Sequence, residues 1–247
     1  MRSVFKWGFL SLLVYVLFLI IKLPAIQVLS RLSLPEDIQL NGLSGSIWNG
    51  QAQQLLIKGL PIEQLSWQLA FMPILVGKLQ IYVDGGNIRQ MDEISIKGDI
   101  SVAKNQLQAD NLQLYLPTDW VIANLALPIA VNASGRFKLV LQELDYSDHC
   151  QVLKGKGQWL KAQVKGNDKP ILLGNFEADL SCVDQEIVLT VNEPNRFGLS
   201  AVARIPADLK FTVSGRFKPD PALPPEVHQA AQFFGKKDVQ GYYSIQF

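Results

Sequence analysis

Two cysteines, two histidines and three methionines in 247 residues leave little material for metal or redox chemistry. A tetrahedral zinc set needs four Cys or His ligands at short spacings, and Cys150 and Cys182 have no nearby His partners to complete one. His149 and His228 lie far apart, and although His149 adjoins Cys150, neither has a ligand set or a nucleophile at usable spacing. No Ser sits in a G-x-S-x-G elbow. Gly155-Lys156-Gly157 lacks the strand–glycine–helix context of a nucleotide loop. Glu143, Asp145 and Asp148 read as an exposed turn, without the glycine of a calcium loop. These absences predict no catalytic residues, no cofactor and no metal. Charge is also scarce, at 18% of residues, and it is scattered rather than clustered, which argues against a nucleic-acid face. Disorder is excluded, because hydrophobic residues make up 48% of the chain.

What the sequence does have, at its start, is a long apolar run. From Val4 to Ile21 the only charge is Lys6. A bilayer core takes roughly 20 apolar residues in a helix. Trp7, Phe9, Leu10, Leu12, Leu13, Val14, Tyr15, Val16, Leu17, Phe18, Leu19, Ile20 and Ile21 are the residues expected to form a membrane anchor, with Trp7 at an interfacial position. A cleaved secretory signal is the competing reading. It wants a small-x-small site, and Leu23-Pro24-Ala25 puts Leu where a small residue is needed. Arg2 and Lys6 favour a cytoplasmic N-terminus, although Lys22 on the far side weakens the bias. Residues 1–26 are therefore read as a cytoplasmic tip and anchor. Residues 27–37 follow as a stalk, in which helical spacing from Ile26 ends at Pro35. Residues 38–247 form one domain across the membrane, with a division into halves at about 38–127 and 128–247 left open.

That domain reads as strands. Apolar residues alternate with period two in 38–43, 46–57, 65–71, 78–84, 94–102 and 106–116, with a phase slip near Asn111 that predicts a bulge. Thr118 is a plausible N-cap for a short helix reaching 127. Strands resume at 129–141, 152–164, 171–180, 187–191, 198–204 and 209–218. A second short helix opens at Pro225 and stops before Gly235, and 242–247 closes as a strand. The fold class is mainly β: a single N-terminal transmembrane helix, then a long antiparallel meander with one or two short helices. Trp48 and Trp67 are in phase with aliphatic neighbours and are expected to pack the core, while Gly45 and Gly50 serve turns or bulges. The pentapeptide Ser-Gly-Arg-Phe-Lys occurs at 134–138 and again at 214–218, a hint of an internal repeat that coincidence explains equally well. Outside the cytoplasm, Cys150 and Cys182 are expected to form a disulfide.

Four stretches, in order, resemble the bacterial type II secretion system protein N family. Gly42 to Ala52 (GLSGSIWNGQA) is similar to its G-L-x-G-T-L-W-x-G-x-A segment, with Ser46 for Thr and Ile47 for Leu. Leu65-Ser66-Trp67-Gln68-Leu69 resembles V-x-W-x-L, and Leu75-Val76-Gly77-Lys78-Leu79 resembles L-x-G-x-L. Phe234 to Tyr243 resembles the closing L-G-x-x-D-x-x-G-R-Y, with Tyr242 for Arg. The resemblance implies a non-enzymatic, single-pass inner-membrane subunit of the machinery that exports folded proteins across the outer membrane, with its C-terminal domain in the periplasm. It implies other inner-membrane secretion subunits as partners, foremost a bitopic subunit of the protein C type. It also carries a distant similarity to the AsmA-like group, whose sheets curl into an apolar groove for lipid. A lipid-binding or lipid-transfer groove is therefore the alternative. Period-two alternation cannot separate the two, because a closed core and an apolar gutter have the same signature.

Overall fold

The computed structural model describes residues 2–31, 35–124, 132–166, 169–208 and 210–246. Helix α1 (Arg2–Ile21) opens the chain, and its side chains are described at 6–16 and 18–21. All of these side chains are exposed, from 39% at Ile20 to 70% at Trp7 among the large hydrophobics, so the domain does not bury this helix. Counted over the described residues, no helix is long and apolar enough to cross a membrane.

The structure differs from the stalk reading just after α1. The helix stops at Ile21, and Pro24, which has no N–H to donate, precedes the short helix α2 (Ala25–Leu29). This segment packs onto the domain: Ala25 is fully buried, Leu29 packs on the same core cluster, and Pro24 pairs as an isolated bridge with Ser46. Residues 32–34 of the stalk lie outside the described residues.

A single antiparallel sheet follows. It comprises β1 (Ile38–Asn41), β2 (Ser44–Gly45), β3 (Asn49–Ile57), β4 (Leu60–Leu69), β5 (Leu79–Gly85), β6 (Ser95–Ala103) and β7 (Gln106–Pro117). It continues through β8 (Ala133–Tyr146), β9 (Cys150–Val164), β10 (Ile171–Val183), β11 (Glu186–Val191), β12 (Ser200–Ile205), β13 (Thr212–Phe217) and β14 (Tyr243–Gln246). Each strand from β3 onward pairs with the next, and β1 and β2 both pair with β3. Short helices punctuate the meander: α3 (Phe71–Ile74), α4 (Thr118–Asn124) and α5 (Pro225–Ala231), the last running into a 3₁₀ turn (Gln232–Phe234) that ends at Gly235. The expected phase slip is present: Asn111 has φ 50° and is skipped by the register on both sides of β7. The helix expected to reach 127 is described only to Asn124, and Thr118 does not act as a cap. Its hydroxyl is buried and has no hydrogen-bond partner among the described residues.

The first core cluster lies on β3, β4 and the approach to β6, where Ala52, Ile62, Leu65, Trp67 and Ile94 meet Ala25. Trp67 sits over Gly50: a Cβ built at Gly50 would lie 2.1 Å from the indole ring, so this strand position needs glycine for close approach. Its Nε1–H donates to Ile47 O at 3.1 Å. Gly45 holds φ 81° at its turn. Trp48 does not join the core. Its Nε1–H donates across 28 residues to Ile20 O at 2.7 Å, a carbonyl in the last turn of α1 that also accepts from Leu23 N–H at 3.3 Å.

Candidate functional site

A wide apolar concavity lies on one face of β7 to β11. Strand register builds its floor in rows. Leu116, Phe137, Trp159 and Phe176 stand opposite one another on four successive strands. The next row runs Leu114, Leu139, Gly157, Ala178 and Val191. Opposed residues of an antiparallel pair share a face, so both rows project the same way. Phe137 stacks on Trp159 with centroids 5.6 Å apart, and Trp159 on Phe176 at 5.5 Å. Val121 of α4, Val227 and Ala230 of α5, and Phe233 and Phe234 of the 3₁₀ turn complete the lining. The cavity measures about 890 Å³, within the roughly 300–1,000 Å³ of ligand sites. Among the described residues, the charged residues at its lining are Lys138, Lys165, Glu177 and Glu226.

Gly157 makes the floor deep. Added there, a Cβ would touch only Leu180 at 3.6 Å and Ala178 at 3.8 Å, which is ordinary contact distance. A side chain would fit; the sequence leaves it out. The neighbours Lys154 and Lys156 project from the opposite face, where they pair with Glu143 at 2.7 Å and Asp179 at 4.0 Å. These pairs are exposed and contribute little to stability. Alternation of Lys154, Gly155, Lys156, Gly157, Gln158 and Trp159 was the readable signal of a charged outer face and an inner face of small residues, close-packed at Gly155 and open at Gly157.

The residues singled out in the sequence do not gather at this groove. Cys150 and Cys182 are joined, with Cα atoms 5.7 Å apart, at the start of β9 and the end of β10. They belong to a separate cluster with Leu141 and Leu153. Among the described residues no three His, Cys, Asp or Glu side chains come together as a metal site. The repeated pentapeptide occupies two different environments. In β8, Arg136 is buried and Phe137 lines the groove; in β13, Arg216 is exposed and Phe217 is buried.

A family model described as "Type II secretion system (T2SS), protein N" matches residues 36–246. The type II secretion system protein N of Vibrio cholerae serotype O1 is 27% identical over 249 residues, covering 98% of this chain and 97% of that protein. The Aeromonas hydrophila protein of the same name is 27% identical over 248 residues, covering 96% and 95%. That of Klebsiella pneumoniae is 24% identical over 246 residues, covering 98% and 94%. No solved structure matches. The match spans almost all of the sheet and the relatives align end to end, so this chain belongs to the type II secretion system protein N family.

Proposed function

We propose that this chain is a non-enzymatic, single-pass subunit of the type II secretion machinery in the bacterial inner membrane. Its N-terminus is cytoplasmic and its β domain periplasmic, where it takes part in assembly and in export of folded proteins. The observation that carries this is the family match over 36–246. The anchor reading rests on the apolar run at 4–21, whose only charge is Lys6, and on α1, which the domain leaves unburied. Its described apolar side chains face outward on all sides. Arg2 and Lys6 support the orientation. The partners are other inner-membrane secretion subunits, foremost the bitopic protein C type. Purification of the full-length protein from its own host in mild detergent, with mass spectrometry of proteins and lipids, is the test. Secretion subunits are expected in stoichiometric amount, and their absence would overturn the assembly role.

The groove favours a second reading, in which the domain binds phospholipid acyl chains. Its lining is apolar across five strands, and an exposed apolar concavity of this size calls for an occupant. Gly157→Leu should fill the floor without straining the backbone, since the position tolerates a Cβ. Co-purifying phospholipid is then expected to fall several-fold while the thermal unfolding midpoint holds. Unchanged lipid content in a folded variant would end the groove reading and leave the assembly role untouched.

A further inference from the structure

The segment joining β4 to β5 is apolar, exposed and internally fixed. Phe71, Met72, Leu75 and Val76 are 44, 72, 68 and 82% exposed. Between Leu69 and Tyr82 the only charge is Lys78. Such a run on a surface that meets water is unfavourable unless something covers it. It is not a loose loop. Leu75 N–H donates to Met72 O, Val76 N–H to Pro73 O, Gly77 N–H to Ile74 O and Lys78 N–H to Pro73 O, all within 3.2 Å. Gly77, at φ 75°, closes the turn in the left-handed conformation that glycine adopts freely. The backbone is therefore satisfied internally, and what it presents outward is side-chain hydrocarbon.

Its position says what covers it. Phe71 meets Trp48 edge to face, with centroids 5.2 Å apart. Trp48 in turn donates its N–H to the carbonyl of Ile20, in the last turn of α1. The apolar segment therefore stands one indole away from the helix end. The junction is held by more than this bond: Ile47 N–H donates to Leu23 O at 3.0 Å, and Pro24 bridges Ser46. The register places the segment at this end of the sheet, since Leu69 N–H donates to Trp48 O and Asn49 pairs with Gln68. The outward hydrocarbon of α1 thus continues across Trp48 onto 71–76. Lys22 and Lys78 flank this surface, with Lys78 Nζ directed to Gln108 Oε1 at 2.6 Å. Trp48 has the amphipathic character of an interfacial residue, with its polar atom already satisfied.

We propose that residues 71–76 are a second membrane contact, inserted into the periplasmic-side leaflet of the bilayer that α1 enters. Two contacts joined through Trp48 fix the tilt of the β domain over the membrane; one helix alone would leave it free to swing. The inference rests on the anchor reading of α1, and its test separates the two.

The test uses full-length protein, with the native disulfide intact, in phosphatidylethanolamine–phosphatidylglycerol vesicles. A single cysteine is introduced by Val76→Cys, by Leu13→Cys within α1, or by Lys58→Cys. Lys58 lies in the hairpin at the far end of β4, roughly 30 Å from 71–76 by strand rise. Each cysteine carries an environment-sensitive fluorophore, quenched either by nitroxide-labelled acyl chains or by aqueous iodide. The label at 76 is expected to be quenched by the lipid nitroxide several-fold more than the label at 58, and to be shielded from iodide as the label at 13 is. If 13 is quenched by lipid and 76 no more than 58, the loop contact is overturned and the anchor stands. If 76 is shielded from both quenchers, a protein surface covers it and the proposal again fails. Failure of the label at 13 to meet lipid overturns the anchor, and the loop contact with it.

Discussion

Arg136→Ala should lower the unfolding free energy of the full-length protein by about 3–5 kcal/mol, the loss expected when a buried charged donor is removed from its acceptors. Arg136 is 3% exposed. Its guanidinium reaches out of β8 to the connection between β5 and β6, more than 40 residues earlier in the chain. Nη1 donates to Ile88 O and Gln90 O, and Nη2 to Asn87 O and Glu93 O, the last two at 3.2 Å. The ring of Tyr115 lies 5.2 Å from Cζ on another side. Burial pulls the guanidinium below its usual pKa, and Tyr115, Glu93 and Asp92 oppose that shift. The side chain remains charged, because no protein environment deprotonates arginine readily. One residue thus satisfies four carbonyls of a connection that has no regular structure of its own. Arg136→Lys should recover little, since an ammonium cannot span four carbonyls with a planar fork. The sequence itself supplies the control. Arg216 sits in the same pentapeptide but is exposed, with Cζ 4.5 Å over the Tyr242 ring. Arg216→Ala should change stability by less than about 1 kcal/mol. Urea unfolding in detergent, compared at constant m, measures both. Equal midpoint shifts for the two would refute this account of Arg136.

The contrast between these two arginines shows where sequence reasoning stopped. Strands were legible because period-two alternation is written residue by residue, and each expected strand overlaps an observed one, the first residues of 129–141 lying outside the described residues. The bulge at Asn111 was legible for the same reason. Burial was not, because alternation marks two faces without saying which is covered. Arg136 and Arg216 share one pentapeptide and have opposite environments, set by a connection more than 40 residues upstream in one case and by Tyr242 in the other. Trp48 is in phase with aliphatic residues and still leaves the core, because the chain on its other side is the end of α1. The groove was hidden in the same way. Phe137, Trp159 and Phe176 fall within expected strands, and only the register shows that they share a face with Gly157 at its centre. Pro24 was another overlooked local signal: it has no N–H to continue helical hydrogen bonding just where α1 meets the domain.

Breaking the Cys150–Cys182 bridge should cost about 4 kcal/mol by loop closure alone, since it closes a loop with a separation of 32 residues. The bridge sits where pairing gives out. β9 and β10 are in register as far as Lys154 and Ser181, and the first residues of β9 run on past that point. Besides the bridge, Cys150 N–H donates to Gln185 O at 3.1 Å, in the turn between β10 and β11. Cys150 is 2% exposed against Leu141 and Leu153, so Cys150→Ser would bury a hydroxyl there, and its effect would mix two causes. Cys182→Ser and the Cys150→Ala/Cys182→Ala pair are cleaner. Urea unfolding of these variants should coincide with that of the reduced native chain and fall well short of the oxidised one. A difference below about 1 kcal/mol between oxidised and reduced protein would show that the sheet holds this corner without the bridge. The same bond tests the proposed topology, because a disulfide persists in an oxidising compartment and not in the cytosol. Alkylation of intact host cells before lysis should therefore find both cysteines blocked. Free thiols at both positions in native protein would place the β domain on the wrong side of the membrane for a periplasmic subunit.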